Sequence, residues 1–495
     1  MKKTLLSTLA LIALGGVVTS CGKEQKDAPQ PAGNTSARAT ELPAGETITG
    51  SIQTDSLALV DLYKSLDGMG WSHSNNWNSS RPVATWAGVQ VSDVAGAPRV
   101  TALYLGGNKL RGTLPKSIGQ LTALRSLQLQ YNRELTGTIP AELYQLTHLR
   151  SLRLRFTSLT GEVSPAIGKL TELDTLDLSN SRYDLSMWWN GDPATAKEHR
   201  PNGKTLTGSL PREIGQLTKA RYIDLSFQGF TGTLPTEIGA LKSLKYLSLY
   251  GCRLSGELPA SLGDLDQLEY LSAGLNDFSG ELPASLGSLK RIREIHISGN
   301  KLTGAIPASL GTLAQLEYFS AGLNEFSGSL PASLGSLKRI REIHISGNKL
   351  SGSIPASLGA LKTLQQLNLA GNQLTGTIPA ELAHLTGIYV IDLKGNKLSG
   401  TIPTDLGGAQ QSLLISVDLS DNDLTGTIPA RIKRYLPDAA KYAGLHGLPD
   451  YGYTMFVLSG NKLTGKIPAE YLAYPKTLQL LLPQQAGYGF SNEPK

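Results

Sequence analysis

The sequence has almost no cysteine, two residues in 495, so no disulfide framework holds the chain together. It has one long apolar run, at the N-terminus, and no later stretch of the length a membrane span needs, which excludes a span through the body of the chain. Neither charge dominates. Lys and Arg number 46 against 40 Asp and Glu, a formal net charge of +6. That balance argues against nucleic acid as the main partner, because phosphate backbones are gripped by concentrated positive charge. His-Glu-x-x-His, Gly-x-Ser-x-Gly and phosphate-binding Gly-Lys-Ser/Thr motifs are missing, and no nucleophile–base pair stands out. No enzymatic chemistry and no cofactor is therefore expected. Glycine, by contrast, is plentiful at 54 residues, above the usual share of ~7% and far below the one-third of a collagen.

The first twenty residues read as an address. Met1-Lys2-Lys3 is basic, Leu5 to Val18 is mostly apolar, and Val18-Thr19-Ser20 precede Cys21. This is the layout of a secretory signal. The Cys after small residues resembles a bacterial lipobox, which implies lipidation of Cys21 and an anchored mature chain. Each buried CH2 of an acyl chain adds ~0.8 kcal/mol to such anchoring. The Lys/Glu/Asp run after Cys21 resembles surface-sorting signals of some Gram-negative lineages, so an outer-membrane, surface-exposed location is expected. Residues 21–53 are rich in Ala, Pro, Gly, Thr and Glu and lack the apolar content for a core, the composition of a flexible tether.

From Val100 onward one pattern recurs: Leu-x-Leu-x-x-Asn-x-Leu-x-Gly-x-Ile/Leu-Pro-x-x-Leu/Ile-Gly-x-Leu-x-x-Leu. The Asn slot is filled by Asn108, Asn132, Thr157, Ser181, Gln228, Cys252, Asn276, Asn300, Asn324, Asn348, Asn372, Asn396, Asn422 and Asn461, and from Gln228 to Asn396 each step is 24 residues. The alternation in Leu-x-Leu marks a short strand with one face inward. One such strand per repeat builds a parallel sheet. The Asn slot follows the strand, where a buried amide can satisfy turn N–H and C=O groups. Cys252 holds the same slot and reads as a buried ladder residue, with neither a reactive nor a metal-binding role. Proline after Ile/Leu disfavours a long helix on the opposite side of each coil and favours extended or 3-10 segments.

These features resemble the plant-type leucine-rich repeat, known from plant receptor ectodomains and bacterial surface proteins. The resemblance covers about residues 100–482. It implies a leucine-rich repeat solenoid: a curved, right-handed array with a parallel β-sheet on its concave face, few helices and a cap at each end. The chain divides accordingly into a signal (1–20), the tether (21–53), an N-terminal cap (54–98), fourteen repeats (99–465) and a C-terminal cap (466–495). In the first cap Asp55 to Tyr63 reads as an amphipathic helix, followed by Trp71, Trp77 and Trp86. The cap cysteines usual in the family are absent, so tryptophan packing must close that end. Residues 267–311 and 315–359 are nearly identical, two repeats copied as a block. Insertions at about 182–204, with Trp188 and Trp189, and at 433–453 interrupt the frame; in repeat arrays insertions become loops on one face.

Strand positions six, four, two and one residue before the Asn slot point away from the core. They place Tyr222, Tyr246 and Tyr270 in one column, with Tyr131, Phe156, Phe227 and Tyr250 beside it and Arg153 and Arg155 facing Asp177 and Asp224. Tyr, Phe and Arg are the types enriched in binding surfaces, and the rings also suit stacking on a sugar. Cross-strand stiffening of the sheet is the alternative use. Trp188 and Trp189 either flank this patch or pack under their own loop. Glu294-x-His296 and Glu342-x-His344 lie two strands apart, ~10 Å, too far to share one zinc ion. Asp418, Asp421 and Asp423 form an acidic group near the end of the array that a solvated turn explains better than calcium. No metal site is expected. The sequence thus leads to a lipid-anchored, monomeric binding protein whose concave face takes a protein or glycan ligand. An inhibitor of a secreted polysaccharide-degrading enzyme is the alternative.

Overall fold

The computed structural model describes residues 49–181, 204–429, 455–468, 472 and 481–493. The expected signal, the tether up to residue 48, both insertions and most of the final cap's first half lie outside them. The described residues form two compact units, 49–181 with 204–277, and 278–429 with the later segments.

In the first unit helix α1, Ile52–Ser65, opens on a capping box in which Ser51 Oγ accepts the Thr54 N–H and Thr54 Oγ1 accepts the Ser51 N–H. Its inner face buries Ala58, Leu59, Leu62 and Tyr63. The Tyr63, Trp71, Trp77 and Trp86 rings pack with centroids 4.9–6.1 Å apart. Each indole N–H reaches a backbone carbonyl, of Leu66, Ala87 and Arg81 respectively, so burying these large rings strands no donor. The helix also buries Asp55, which holds Arg99 across the cap.

A hairpin, β1 (Val89–Val94) and β2 (Ala97–Tyr104), hands the chain to the parallel ladder. The strands are β3 (Ser126–Gln128), β4 (Ser151–Arg153), β5 (Thr175–Asp177), β6 (Tyr222–Asp224), β7 (Tyr246–Ser248) and β8 (Tyr270–Ser272), each in register with the next. The 182–203 segment leaves this ladder unbroken: β5 pairs β6 directly. The second unit repeats the plan with β9 (Glu294–His296), β10 (Tyr318–Ser320), β11 (Glu342–His344), β12 (Gln366–Asn368), β13 (Val390–Asp392), β14 (Ser416–Asp418) and β15 (Met455–Val457).

Opposite the strands stand 3-10 turns such as Ala260–Asp264 or Ala356–Ala360, most of them begun by a proline in extended conformation at the N-cap, with Ser164 and Gly408 in that place in two others. Proline's fixed φ and missing N–H suit a turn start and forbid a longer helix. The leucines and isoleucines of strand, turn and 3-10 segment fill the inside of every coil; Leu127, Leu152, Leu247, Ile295, Ile343 and Leu367 are at most 1% exposed. No helix of the described residues is long and apolar enough to cross a membrane.

The Asn slot works as a clasp between coils. Asn276 Nδ2 donates to the carbonyls of Leu249, Ala273 and Gly274, and its Oδ1 accepts the Leu254 N–H at 3.1 Å. Asn132, Asn324, Asn348, Asn372, Asn396, Asn422 and Asn461 make the same four kinds of bond. Asn300 Oδ1 accepts the Phe278 N–H, and Asn108 binds both N–H and C=O of the cap through His73. Gln228 reaches the Leu206 N–H and the Leu178 carbonyl with its longer arm, whereas Cys252 has only its Sγ, 3.3 Å from the Leu225 carbonyl. Gln484 takes over the ladder's role at the last coil, accepting the Leu463 N–H and donating to the Leu458 and Leu481 carbonyls.

Candidate functional site

The concave strip of the first unit is built by β3 to β8. Alternation along three-residue strands turns their first and third residues outward, so Tyr222, Tyr246 and Tyr270 come into direct register. Their rings stack: Tyr222 on Tyr246 and Tyr246 on Tyr270, both at 4.4 Å between centroids and with interplanar angles of 9° and 3°. Tyr246 is sandwiched and only 7% exposed. Both faces of Tyr246, and one face each of Tyr222 and Tyr270, are thus taken by neighbouring rings.

The position just before the Asn slot does not point outward as the alternation suggests. There the backbone is left-handed, φ +57° at Phe227 and +67° at Gly251. The turn lays the Phe227 ring over the next coil, where a Cβ on Gly251 would stand 3.0 Å from it. Phe227 is consequently 1% exposed, packed edge-on against Tyr250 at 5.3 Å, and Tyr250 itself is buried. Both belong to the inner packing of the strip, not to its surface. Tyr131, also left-handed at φ +62°, has no such cover and is 46% exposed. Phe156 is half-buried beside it at 6.2 Å, under the Arg133 guanidinium at 5.0 Å.

Next to Tyr131 lies a charge cluster. Arg155 is 91% buried, its guanidinium 5.8 Å from the Tyr131 ring centroid and its Nε donating to the Ser181 carbonyl. Asp177 and Asp224, side by side on β5 and β6, are buried too. Each carboxylate is tied to its own strand: Asp177 Oδ1 accepts the N–H and hydroxyl of Ser179, and Asp224 Oδ1 those of Ser226. Burial, then the charge of Asp177, pushes Asp224 up to about 7, with Ser226 and Arg155 pulling the other way. Burial also raises Asp177 against the pull of Arg155. Two polar atoms at this place are buried and unpaired among the described residues, Arg153 Nε and Gln130 Oε1. The Asp-x-Ser spacing is legible in the sequence as a local turn bond; Gln130 carried no signal there. Trp188 and Trp189 lie outside the described residues.

Asp224→Asn tests this account. An acid that ionises less readily in the folded chain retains a proton that the unfolded chain has released, so its stabilising contribution is complete below about pH 4 and is lost as pH rises toward 7. Asn keeps the acceptor for Ser226 and removes the buried charge. Melting curves should show the variant stabilised at pH 8, by roughly 1 kcal/mol or more, and little changed at pH 4. An equal effect at both pH values would refute the burial argument.

In the second unit the Tyr318 ring separates the two histidines, 4.6 Å from His296 and 5.5 Å from His344. Each imidazole Nε2 stands 3.0 Å from the glutamate two residues before it. Burial and the flanking Glu342 and Glu294 push the Tyr318 hydroxyl up. The acidic trio does not converge: Asp418 binds Ser420, Asp421 pairs with Lys394 at 3.7 Å, and Asp423 with Lys462 at 2.6 Å. Among the described residues no group of three His, Cys, Asp or Glu is placed to hold a metal ion.

One short strand per coil, an Asn clasp, and Pro-initiated 3-10 turns define a leucine-rich repeat solenoid of the plant type. The family described as leucine-rich repeat region matches residues 204–394, and that described as leucine rich repeat matches 98–159; the chain belongs to the leucine-rich repeat proteins. It is similar to the solved structure of PEPR1–AtPEP1, with 28% identity and a TM-score of 0.71 over 88% of this chain and 56% of that one. It is likewise similar to the plant peptide hormone receptor RGFR1 in complex with RGF2, with 29% identity and a TM-score of 0.63 over 78% and 62% of the two chains. The receptor protein kinase WSS1 of Oryza sativa subsp. japonica is 40% identical over 79 residues, 16% of this chain and 8% of that kinase. The chain thus spans little more than half of the first of these structures and under a tenth of the kinase.

Proposed function

We propose that the protein is a cell-surface binding scaffold, anchored through a lipidated Cys21, that holds a protein or peptide ligand on the strip formed by β3 to β8. The observation that carries the reading is the Tyr131 ring, 46% exposed on this strip with the Phe156 ring and the Arg155 guanidinium beside it. Tyr and Arg on a concave surface are also the residue types that dominate binding energy. The likeness to the plant peptide hormone receptor solved with RGF2 supports a peptide or protein over a glycan, and the stacking of Tyr246 between its neighbours points the same way.

The test is affinity capture on the full chain, from secreted proteins and from a panel of linear polysaccharides, followed by titration of what binds. Arg153→Ala and Tyr131→Ala should each weaken a bound protein or peptide at least about tenfold while the melting temperature stays within a few degrees. Unchanged affinity in both variants would remove the site. Metabolic labelling with a fatty acid, with Cys21→Ser as control, tests the anchor.

A further inference from the structure

The second unit carries a concentration of positive charge that the balanced composition conceals. It lies where each coil runs from its 3-10 turn into its strand, over residues 289–293, 313–317, 337–341 and 361–365, which lead into β9, β10, β11 and β12. Backbone bonds stack these segments: the Glu317 N–H donates to the Arg293 carbonyl, the Arg341 N–H to that of Glu317 and the Gln365 N–H to that of Arg341. The four segments hold Lys290, Arg291, Arg293, Lys338, Arg339, Arg341 and Lys362 against one carboxylate, Glu317, a net +6 that equals the formal charge of the entire chain. All seven cations are exposed. Glu317 is shared, with Arg293 Nη2 at 2.6 Å from one oxygen and Arg341 Nε at 3.6 Å from the other, so two guanidiniums divide one negative charge. Lys290 Nζ turns to the Gly287 carbonyl and the Thr312 hydroxyl, and Lys362 Nζ to the His384 carbonyl, none of them charged. Arg291, Lys338 and Arg339 have no carboxylate within ion-pair distance among the described residues. The nearest strand glutamates, Glu294 and Glu342, turn to His296 and His344 on the sheet face. Like charges gathered in this way repel one another, and a polyanion relieves that repulsion.

The surroundings select the partner. The leucines and isoleucines of these segments are at most 2% exposed, so no apolar side chain stands there to enter a bilayer or to form the dry centre of a protein interface. The segments hold no aromatic ring to stack on a base. What accompanies the cations is neutral and hydrogen-bonding, the amides of Gln315 and Gln365 and the hydroxyl of Thr363, groups that pair with sugar hydroxyls. The cations do not converge on one point. They extend over three strand steps, ~14 Å, and the two identical Lys-Arg-Ile-Arg runs, 290–293 and 338–341, stand two steps or ~9.6 Å apart. A small anion meets one end of such a row, whereas a chain meets all of it. We propose that this edge binds a linear acidic polysaccharide, bearing carboxylate or sulfate groups, that lies across the coils of the second unit from Lys290 to Lys362. The guanidiniums of Arg291 and Arg339 grip a carboxylate or sulfate through paired N–H donors, and the lysines act as point charges. The surface belongs to the other unit from the strip assigned above, and the proposal goes beyond that reading without depending on it.

The experiment is biolayer interferometry of the full chain on immobilised polygalacturonate and dextran sulfate, with neutral dextran as control, at about 0.1 M salt, where exposed charges still act over ~10 Å. Both acidic polymers should bind, neutral dextran should not, and the affinity should fall steeply as salt rises. The quadruple variant Lys290→Gln/Arg291→Gln/Lys338→Gln/Arg339→Gln should bind at least about tenfold more weakly. A control that loses four cations elsewhere in the same unit, Lys301→Gln/Lys349→Gln/Lys394→Gln/Lys397→Gln, should weaken less than about threefold. Circular dichroism checks that both variants fold; Arg291→Gln/Arg339→Gln, at two exposed side chains, stands in for the quadruple variant if that one unfolds, with a loss of at least about threefold expected. Failure of both acidic polymers to bind, equal loss in variant and control, or equally tight binding of neutral dextran overturns the proposal. So does tighter binding of phosphatidylglycerol vesicles or of duplex DNA that the quadruple variant loses; the occupant is then a lipid surface or a nucleic acid.

Discussion

Asp55→Ala is expected to cost about 3–5 kcal/mol and to loosen the N-terminal cap, because it strands a buried guanidinium. Arg99 is 2% exposed and Asp55 fully buried. The carboxylate receives Arg99 Nε at 2.9 Å, Arg99 Nη2 at 2.8 Å and the Val100 N–H at 2.8 Å. With Asp55 gone, Arg99 keeps only the Thr49 carbonyl and the Thr122 hydroxyl, neither of which is charged. The Val100 amide, within the hairpin strand β2 that feeds the ladder, also loses its acceptor. Replacing both partners by apolar residues should cost much less, since the pair's desolvation is then avoided. Asp55→Leu/Arg99→Met is therefore expected to recover at least half of the loss. Coils of a repeat array unfold in part, so the readout must be local. The fluorescence of Trp71, Trp77 and Trp86, packed against Tyr63, reports this end of the chain. A loss under 1 kcal/mol in the single variant would show that the pair is not what closes the cap.

Asn276→Ala should be comparably severe, about 3–5 kcal/mol. It removes one side chain that satisfies three carbonyls and one N–H, none within easy reach of water. Each buried backbone group left unpaired costs about 1–3 kcal/mol, reduced where a carbonyl keeps another donor. The clasp spans coils, from Leu249 to Leu254 through Asn276, so the expected result is loss of cooperativity between neighbouring coils as well as of stability. Hydrogen exchange should show the amide of Leu254 and those of the flanking strands opening together. Protection unchanged at Leu254 would mean that the amide ladder is incidental. The chain itself supplies a comparison: Cys252 fills the adjacent slot with a single weak donor, so the coil around it should exchange faster than its neighbours.

The fold was legible because repeat proteins write it in period. A 24-residue step with Leu-x-Leu, Asn and Pro in fixed places prescribes strand, turn and 3-10 segment from local physics alone, and β6 to β13 lie where that step places them. The candidate site was legible only in outline. The tyrosine column came from counting positions, yet the count could not tell a surface ring from a covered one. Phe227 and Tyr250 counted as surface and are packed inside: Phe227, left-handed beyond its strand, escapes the two-residue alternation, and its ring packs against Tyr250 on the next coil. The polarity of the strip was likewise open: Asp177 and Asp224 are 47 residues apart and become neighbours only when β5 pairs β6 past the intervening segment.

By itself the sequence determined that coils stack, which residues clasp them, and that their flank is a sheet with aromatic and charged residues on it. Those outcomes follow from side-chain period and hydrogen-bond arithmetic within one repeat. Tertiary structure alone decided which rings are exposed, that the tyrosines stack on each other, and that Arg155 is buried near the paired carboxylates Asp177 and Asp224. These depend on contacts between coils, where the distance across the sheet, and not the distance along the chain, sets the interaction.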